Sequence, residues 1–330
     1  MKTMIKEIEE KMARKERAEK FSLDLDYLTA GERRRLYELM YAHGPGNGKM
    51  MFLPIDQGLE HGPRDFFPNP PSADLEFQLA LALEANYSGI VCHIGLAEKH
   101  LRKYAGRVPV VLKINGKTSI TPDDLPFSPL DASVEDALRL GADAIGYTLY
   151  VGSPKEAEDI AQFTQLRQEC RKFGIPLIMW AYPRGPYAET RGAGRDSLAM
   201  VDYAARVANE LGATLAKINL PVGPKGGSYD PQGPFKAYNA FKDMPEEDAL
   251  RMVVQSAGRT GVLISGGSKL SDEDLLHKVK LSLEAGVDGL IFGRNMWQRK
   301  YDDALKMSRE IQEMMKKFQG PAWANPEPDR

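Results

Sequence analysis

The stretch Leu211-Gly212-Ala213-Thr214-Leu215-Ala216-Lys217-Ile218-Asn219 joins the two signals on which the fold reading rests. A glycine ends an amphipathic helical segment, the place where a left-handed residue closes a helix. A short, nearly unbroken apolar run follows at once, and such runs are the mark of strands buried on both faces of a parallel sheet. The same junction recurs at Leu140-Gly141, Phe173-Gly174 and Ala285-Gly286. Worked outward from these points, the pattern predicts strands over residues 50–56, 89–94, 108–115, 142–149, 176–182, 213–219, 261–266 and 286–293. Helices are expected over 74–86, 133–140, 154–173, 197–211, 246–257, 271–285 and 302–318. Strands alternating with helices imply parallel strands with crossover helices.

Eight such units in one chain favour a closed (β/α)8 barrel, the TIM-barrel architecture of the α/β class, over an open doubly wound sheet. The open sheet would carry Gly-x-Gly-x-x-Gly after its first strand. The sequence there is instead Asp56-Gln57-Gly58-Leu59-Glu60-His61-Gly62. Residues 1–48 are expected to form a short helical extension packed on the barrel, 49–320 the barrel itself, and 321–330 a loose tail. The Gly- and Pro-rich stretch 220–244 follows the sixth strand, so it belongs to the active-site face and is expected to close over substrate as a loop insertion.

Composition narrows the function classes. Of 330 residues, 42% are hydrophobic and 27% charged, with a formal net charge of −2, the profile of a soluble globular protein. No long basic run interleaved with aromatics argues for a nucleic-acid partner. The charged residues between 6 and 20 alternate in sign like a solvated helix face, without the apolar core of a signal peptide. No apolar stretch approaches a membrane span, and a cytoplasmic protein is expected. Two cysteines, Cys92 and Cys170, form no Cys-x-x-Cys pair, and the five histidines show no ligand spacing, so neither a metal nor another cofactor is expected.

Lys217 stands at the end of a buried strand, where a lysine is costly. Burial disfavours an ammonium and can draw a lysine pKa from about 10.4 toward 7–8, which leaves a nucleophilic amine. Such an amine can form a Schiff base with a ketone. The competing reading is a stem lying on apolar surface with its head in water. Chemistry in a (β/α)8 barrel gathers at the C-terminal strand ends. Those ends carry Asp56, Lys113, Trp180, Tyr182, Arg184, Lys217, Ser265-Gly266-Gly267 and Gly293-Arg294. Glycines let backbone amides approach an anion and an arginine adds a charged fork, so the seventh and eighth ends read as a phosphate site. Ordinary tight turns would need glycine too. Tyr182 is a candidate proton carrier or an aromatic wall residue. Trp180, two residues earlier on the same face, shapes the pocket or packs the barrel, and Asp56 polarises a hydroxyl or caps a helix.

The motifs Asp56-Gln-Gly-Leu-Glu-His-Gly62, Leu112-Lys-Ile-Asn-Gly-Lys-Thr118, Gly146-Tyr-Thr-Leu-Tyr150, Trp180-Ala-Tyr-Pro-Arg184, Ala216-Lys-Ile218, Ser265-Gly-Gly267 and Gly293-Arg-Asn295 occur in order. Together they resemble the archaeal-type class I fructose-1,6-bisphosphate aldolases, a Schiff-base branch of the DeoC/FbaB-like aldolases. The resemblance spans about residues 50–307. It implies metal-independent cleavage of fructose 1,6-bisphosphate to dihydroxyacetone phosphate and glyceraldehyde 3-phosphate. It further implies that Lys217 forms the Schiff base, Tyr182 transfers protons and Asp56 contacts substrate hydroxyls, while Gly266, Gly267 and Arg294 hold a phosphate. Gln57, His61, Asp65, Trp180, Arg184, Ser265 and Gly293 complete the expected substrate-binding set, with Lys113 in reserve, and a large homo-oligomer is expected. Two other readings remain open: a related Schiff-base aldolase or transaldolase acting on another phosphorylated keto sugar, and a barrel that binds a phosphate ligand without turnover.

Overall fold

The computed structural model describes residues 21–23 and 25–318. Eight strands form in chain order: β1 (Met50–Pro54), β2 (Gly89–His93), β3 (Val110–Lys113), β4 (Ala144–Val151), β5 (Leu177–Pro183), β6 (Leu215–Ile218), β7 (Gly261–Ser265) and β8 (Gly289–Ile291). Each pairs in parallel with the next, and β8 returns to β1 through Met50↔Gly289, Met51↔Leu290 and Phe52↔Ile291, closing the barrel. The expected helices are present at Leu75–Glu84, Val134–Arg139, Glu156–Phe173, Leu198–Leu211, Glu246–Ser256, Asp272–Glu284 and Tyr301–Lys316. Their starts are capped as their sequences dictate: the Ser197 hydroxyl accepts from the Met200 amide, and Ser271 from Asp274. Gly174 and Gly212 close two of them in the left-handed conformation.

Strand alternation sorts side chains between two cores. Met50, Phe52, Val91, Val111, Ala144, Ile178, Trp180, Leu215, Leu263 and Ile291 fill the barrel interior. Their neighbours Met51, Leu53, Ile90, Leu112, Ile145, Met179, Ala216, Ile264 and Leu290 pack outward against the helices. This alternation turns Lys113, Trp180, Tyr182, Lys217 and Ser265 inward. Phe21, Leu23, Leu25, Leu28, Leu36, Leu39 and Met40 join the interior cluster. They come from the segment that includes the helix Ala30–Tyr37, so this part of the extension packs on the barrel core. The parts of the expected extension and tail at 1–20 and 321–330 lie outside the described residues.

Three expectations need correction. The strands are shorter than the expected 108–115 and 286–293, and β4 lies two residues later than the expected 142–149, because apolar turn residues next to a strand look like strand. Among the described residues, short helices also follow strand ends at Gln57–His61, Ile94–His100, Pro186–Thr190 and Arg294–Trp297. No residue of the 220–244 segment lines the cavity at the C-terminal strand ends. Its Tyr229 is buried, with its hydroxyl accepting from the Ala199 amide, and Tyr238 donates to Asp202 Oδ2 at 2.5 Å. Phe235, at 6.1 Å between ring centroids, meets Tyr203 edge-on. The segment is thus a small aromatic core on the outer helix Leu198–Leu211, anchored by a strand-like bridge from Val222 to Ser197.

Candidate active site

The C-terminal strand ends surround one cavity. Trp180 on β5 pairs in register with Lys217 on β6, and the Lys217 Nζ sits 4.7 Å from the Trp180 ring centroid and 5.6 Å from that of Tyr182. Gly146 on β4 leaves room for the indole. A Cβ there would come within 2.7 Å of Trp180 Cζ3 and 3.1 Å of Lys113 Cδ. Since the indole is buried, we expect Gly146→Ala to cost about 1–3 kcal/mol, the usual toll of overpacking. Denaturant unfolding measures this, and a loss under about 0.5 kcal/mol, the size of a neutral surface change, would mean that the indole shifts freely.

Two buried lysines compete for the role of nucleophile, and geometry separates them. Burial pushes the Lys113 ammonium down to about 8, against the opposing pull of Asp56. Its Nζ, however, is occupied: it donates to the Asn115 carbonyl and, at 2.7 Å, to Asn115 Oδ1. Lys113 also stays out of the cavity wall, whereas Lys217 forms part of it. Among the described residues Lys217 Nζ makes no hydrogen bond or ion pair. An amine that is free, inward and at the cavity is the better nucleophile, whatever burial does to the other.

Four buried polar atoms without a hydrogen-bond partner border this cavity: Asp56 Oδ1, Gln57 Oε1, Trp180 Nε1 and Arg294 Nε. Buried polar groups are nearly always paired, so four orphans around one space mark it as built for a polar ligand. Asp56 stands at the N-cap of the helix Gln57–His61 yet makes no side-chain cap bond, which removes the competing explanation for it. Tyr182 lies under the Arg184 guanidinium, 5.3 Å from its ring centroid.

The far side of the cavity is formed by Ser265, Gly266, Gly267, Gly293 and Arg294. Gly267 adopts φ +69° with open space where a side chain would stand, while a Cβ on Gly293 would lie 2.8 Å from the Pro54 carbonyl. The Gly266 amide donates to the Ile291 carbonyl at 3.1 Å, so the exposed Gly267 backbone and the Arg294 guanidinium are the groups of the β7 and β8 loops that suit an oxyanion. His61 also borders the cavity and is bound at its Nδ1 by Asp65 Oδ2 at 2.6 Å. The same carboxylate oxygen is 3.6 Å from Arg294 Nη1.

Apart from the reserve candidate Lys113, Asp65 is the one expected site residue outside the wall. It stands behind it, orienting His61 and Arg294, because its short side chain is spent on those two partners. Sequence reading missed Glu60 and Asn219, both of which face the cavity. Asn219 accepts from Ser265 Oγ and donates to Asp196 Oδ1 at 2.7 Å. Its signal was present: it lies two residues past Lys217, on the same side of the chain. A larger cavity, 430 Å³ against 130 Å³, lies near Arg34, Leu140 and Asp143 beside the N-terminal ends of β3 and β4. It contains none of these residues, and barrels of this type do not carry chemistry at that end.

A family model described as DeoC/LacD family aldolase matches residues 50–299. The class 1 fructose-bisphosphate aldolase of Thermoproteus tenax is 40% identical over 269 residues, 81% of this chain and 90% of its own length. That of Halobacterium salinarum is 37% identical over 258 residues, 78% and 88% of the two chains. A solved structure of an archaeal fructose-1,6-bisphosphate aldolase, with its catalytic lysine covalently bound to the carbinolamine intermediate of the substrate, superposes with a TM-score of 0.70 at 37% identity, covering 85% of this chain and 99% of that one. Barrel and matches together define the class as an α/β-barrel aldolase. The chain belongs to the DeoC/LacD aldolase family.

Proposed function

We propose that this protein is a class I fructose-bisphosphate aldolase, cleaving fructose 1,6-bisphosphate reversibly to dihydroxyacetone phosphate and glyceraldehyde 3-phosphate through a Schiff base on Lys217. The observation that carries the site assignment is the free Lys217 amine, set against Trp180 and Tyr182 and facing a glycine-rich, arginine-bearing wall across one cavity.

The chemistry follows from that placement. Lys217 Nζ attacks the C2 ketone, and loss of water from the carbinolamine gives an iminium. A base takes the proton of the C4 hydroxyl, the C3–C4 bond breaks, and its electron pair moves into the iminium to form an enamine. Glyceraldehyde 3-phosphate leaves. Protonation of C3 and hydrolysis of the imine then release dihydroxyacetone phosphate and restore the amine. Asp56 holds the reacting hydroxyls, a role its buried unpaired carboxylate oxygen supports. Tyr182, beside the amine, carries the protons. The β7 and β8 loops with Arg294 bind a phosphate, and Gln57, His61 and Arg184 meet the remaining polar groups of the sugar.

The protonated imine is the electron sink, so no metal is needed for that step. We therefore expect cleavage of fructose 1,6-bisphosphate to proceed at an unchanged rate in EDTA. Activity lost to the chelator and restored by a divalent ion would overturn the mechanism. Profiling other phosphorylated keto sugars in the same assay separates this reading from a related aldolase or transaldolase, and an absence of turnover on all of them would favour a binding barrel. We also propose that the protein is cytoplasmic and assembles as a large homo-oligomer. Among the described residues no helix is long and apolar enough to cross a membrane, and sedimentation velocity reads the assembly state.

A further inference from the structure

We infer that Lys278 is a positioning residue of the phosphate wall, acting through the carbonyl of Gly266; the inference rests on the reading that the β7 and β8 loops hold a phosphate. Lys278 lies on the helix Asp272–Glu284, outside the cavity wall, and its Nζ donates to the Gly266 carbonyl at 3.4 Å. Asn295 Nδ2 donates to the same oxygen at 3.1 Å and to the Ser268 carbonyl at 3.2 Å, while Asn295 Oδ1 accepts from the Leu270 amide at 2.8 Å. The Gly266 carbonyl is therefore held from two sides, away from the cavity.

In a trans peptide the carbonyl and the following N–H point in opposite directions, and the described chain has no cis bond. Fixing the Gly266 carbonyl behind the loop thus turns the Gly267 N–H forward, toward the cavity that both glycines border. Gly267 is free to take that orientation at φ +69°. Lys278 adds a positive charge behind the same peptide. Burial pushes it down to about 8, with Asp196 pulling the other way. Asp196 accepts a hydrogen bond from Asn219 Nδ2, and Asn219 Oδ1 in turn accepts one from the Ser265 hydroxyl. The loop is thus braced at Ser265 by Asn219 and at Gly266 by Lys278 and Asn295.

The test compares Lys278→Met, Lys278→Arg and Arg294→Ala in condensation with glyceraldehyde 3-phosphate, using dihydroxyacetone phosphate or unphosphorylated dihydroxyacetone as the donor. We expect Lys278→Met to raise KM for dihydroxyacetone phosphate about tenfold, the scale of one lost charged hydrogen bond. The KM for dihydroxyacetone should stay within about twofold and kcat within about threefold, changes small beside that loss. Lys278→Arg should recover most of the effect, and Arg294→Ala should shift the same ratio. If Arg294→Ala shifts the ratio and Lys278→Met does not, the inference fails and the phosphate site stands. If neither shifts it, the phosphate reading fails and takes the inference with it. Equal losses on both donors would make Lys278 a structural residue and overturn the proposal. Should Lys278→Met not fold, Lys278→Gln is read by the same ratio.

Discussion

Replacing Lys217 by methionine should lower cleavage of fructose 1,6-bisphosphate by roughly 10⁴-fold or more, the scale seen when a covalent nucleophile is removed from a catalytic unit. Methionine keeps the stem against Trp180 and removes only the amine, so the barrel should unfold at a denaturant concentration close to that of the parent. The expected loss in kcat is this large because no second amine takes over: Lys113 is held by both oxygens of Asn115 and stays outside the cavity wall. A variant that kept more than about one hundredth of the parent rate, well above the loss expected for a nucleophile, would return Lys217 to the role of a buried stem.

The second large effect is at Tyr182. Tyr182→Phe removes one hydroxyl and keeps the ring between Lys217 and Arg184. Imine formation should survive, and borohydride with dihydroxyacetone phosphate should still modify the variant. Turnover should fall by roughly 10²–10⁴-fold, the usual reach of general acid–base catalysis. A variant turning over within a few-fold of the parent would leave Tyr182 as a wall of the pocket and pass the proton to Asp56 or water.

The fold was readable because a parallel barrel hides its strands on both faces, so each strand is written as an apolar run and each crossover helix as a capped amphipathic segment. Gly174 and Gly212 marked two helix ends in the sequence, and the structure adds Ser133, Ser197 and Ser271 as caps at helix starts. Position along the barrel then pointed to the candidate site, since Lys217, Tyr182 and Ser265 all stand at C-terminal strand ends and all face inward. What stayed hidden depends on contacts between distant segments. Nothing near Asp65 says that its carboxylate is taken by His61 and Arg294. Lys278 looks like any helix-surface lysine until the helix is packed and its amine meets Gly266. The 220–244 segment shows the same limit. Its glycines and prolines read as a mobile loop, while Tyr229 and Tyr238, too irregularly spaced for a helix or strand pattern, bind it to Leu198–Leu211.

The central claim is that Lys217 is the amine that becomes covalently bound. Reduction with borohydride in the presence of dihydroxyacetone phosphate, followed by intact-mass analysis and peptide mapping, tests it directly. A single adduct per chain is expected, carried on the peptide containing Lys217 and absent when dihydroxyacetone phosphate is omitted. An adduct on Lys113, or no adduct from a preparation that cleaves fructose 1,6-bisphosphate, would contradict it.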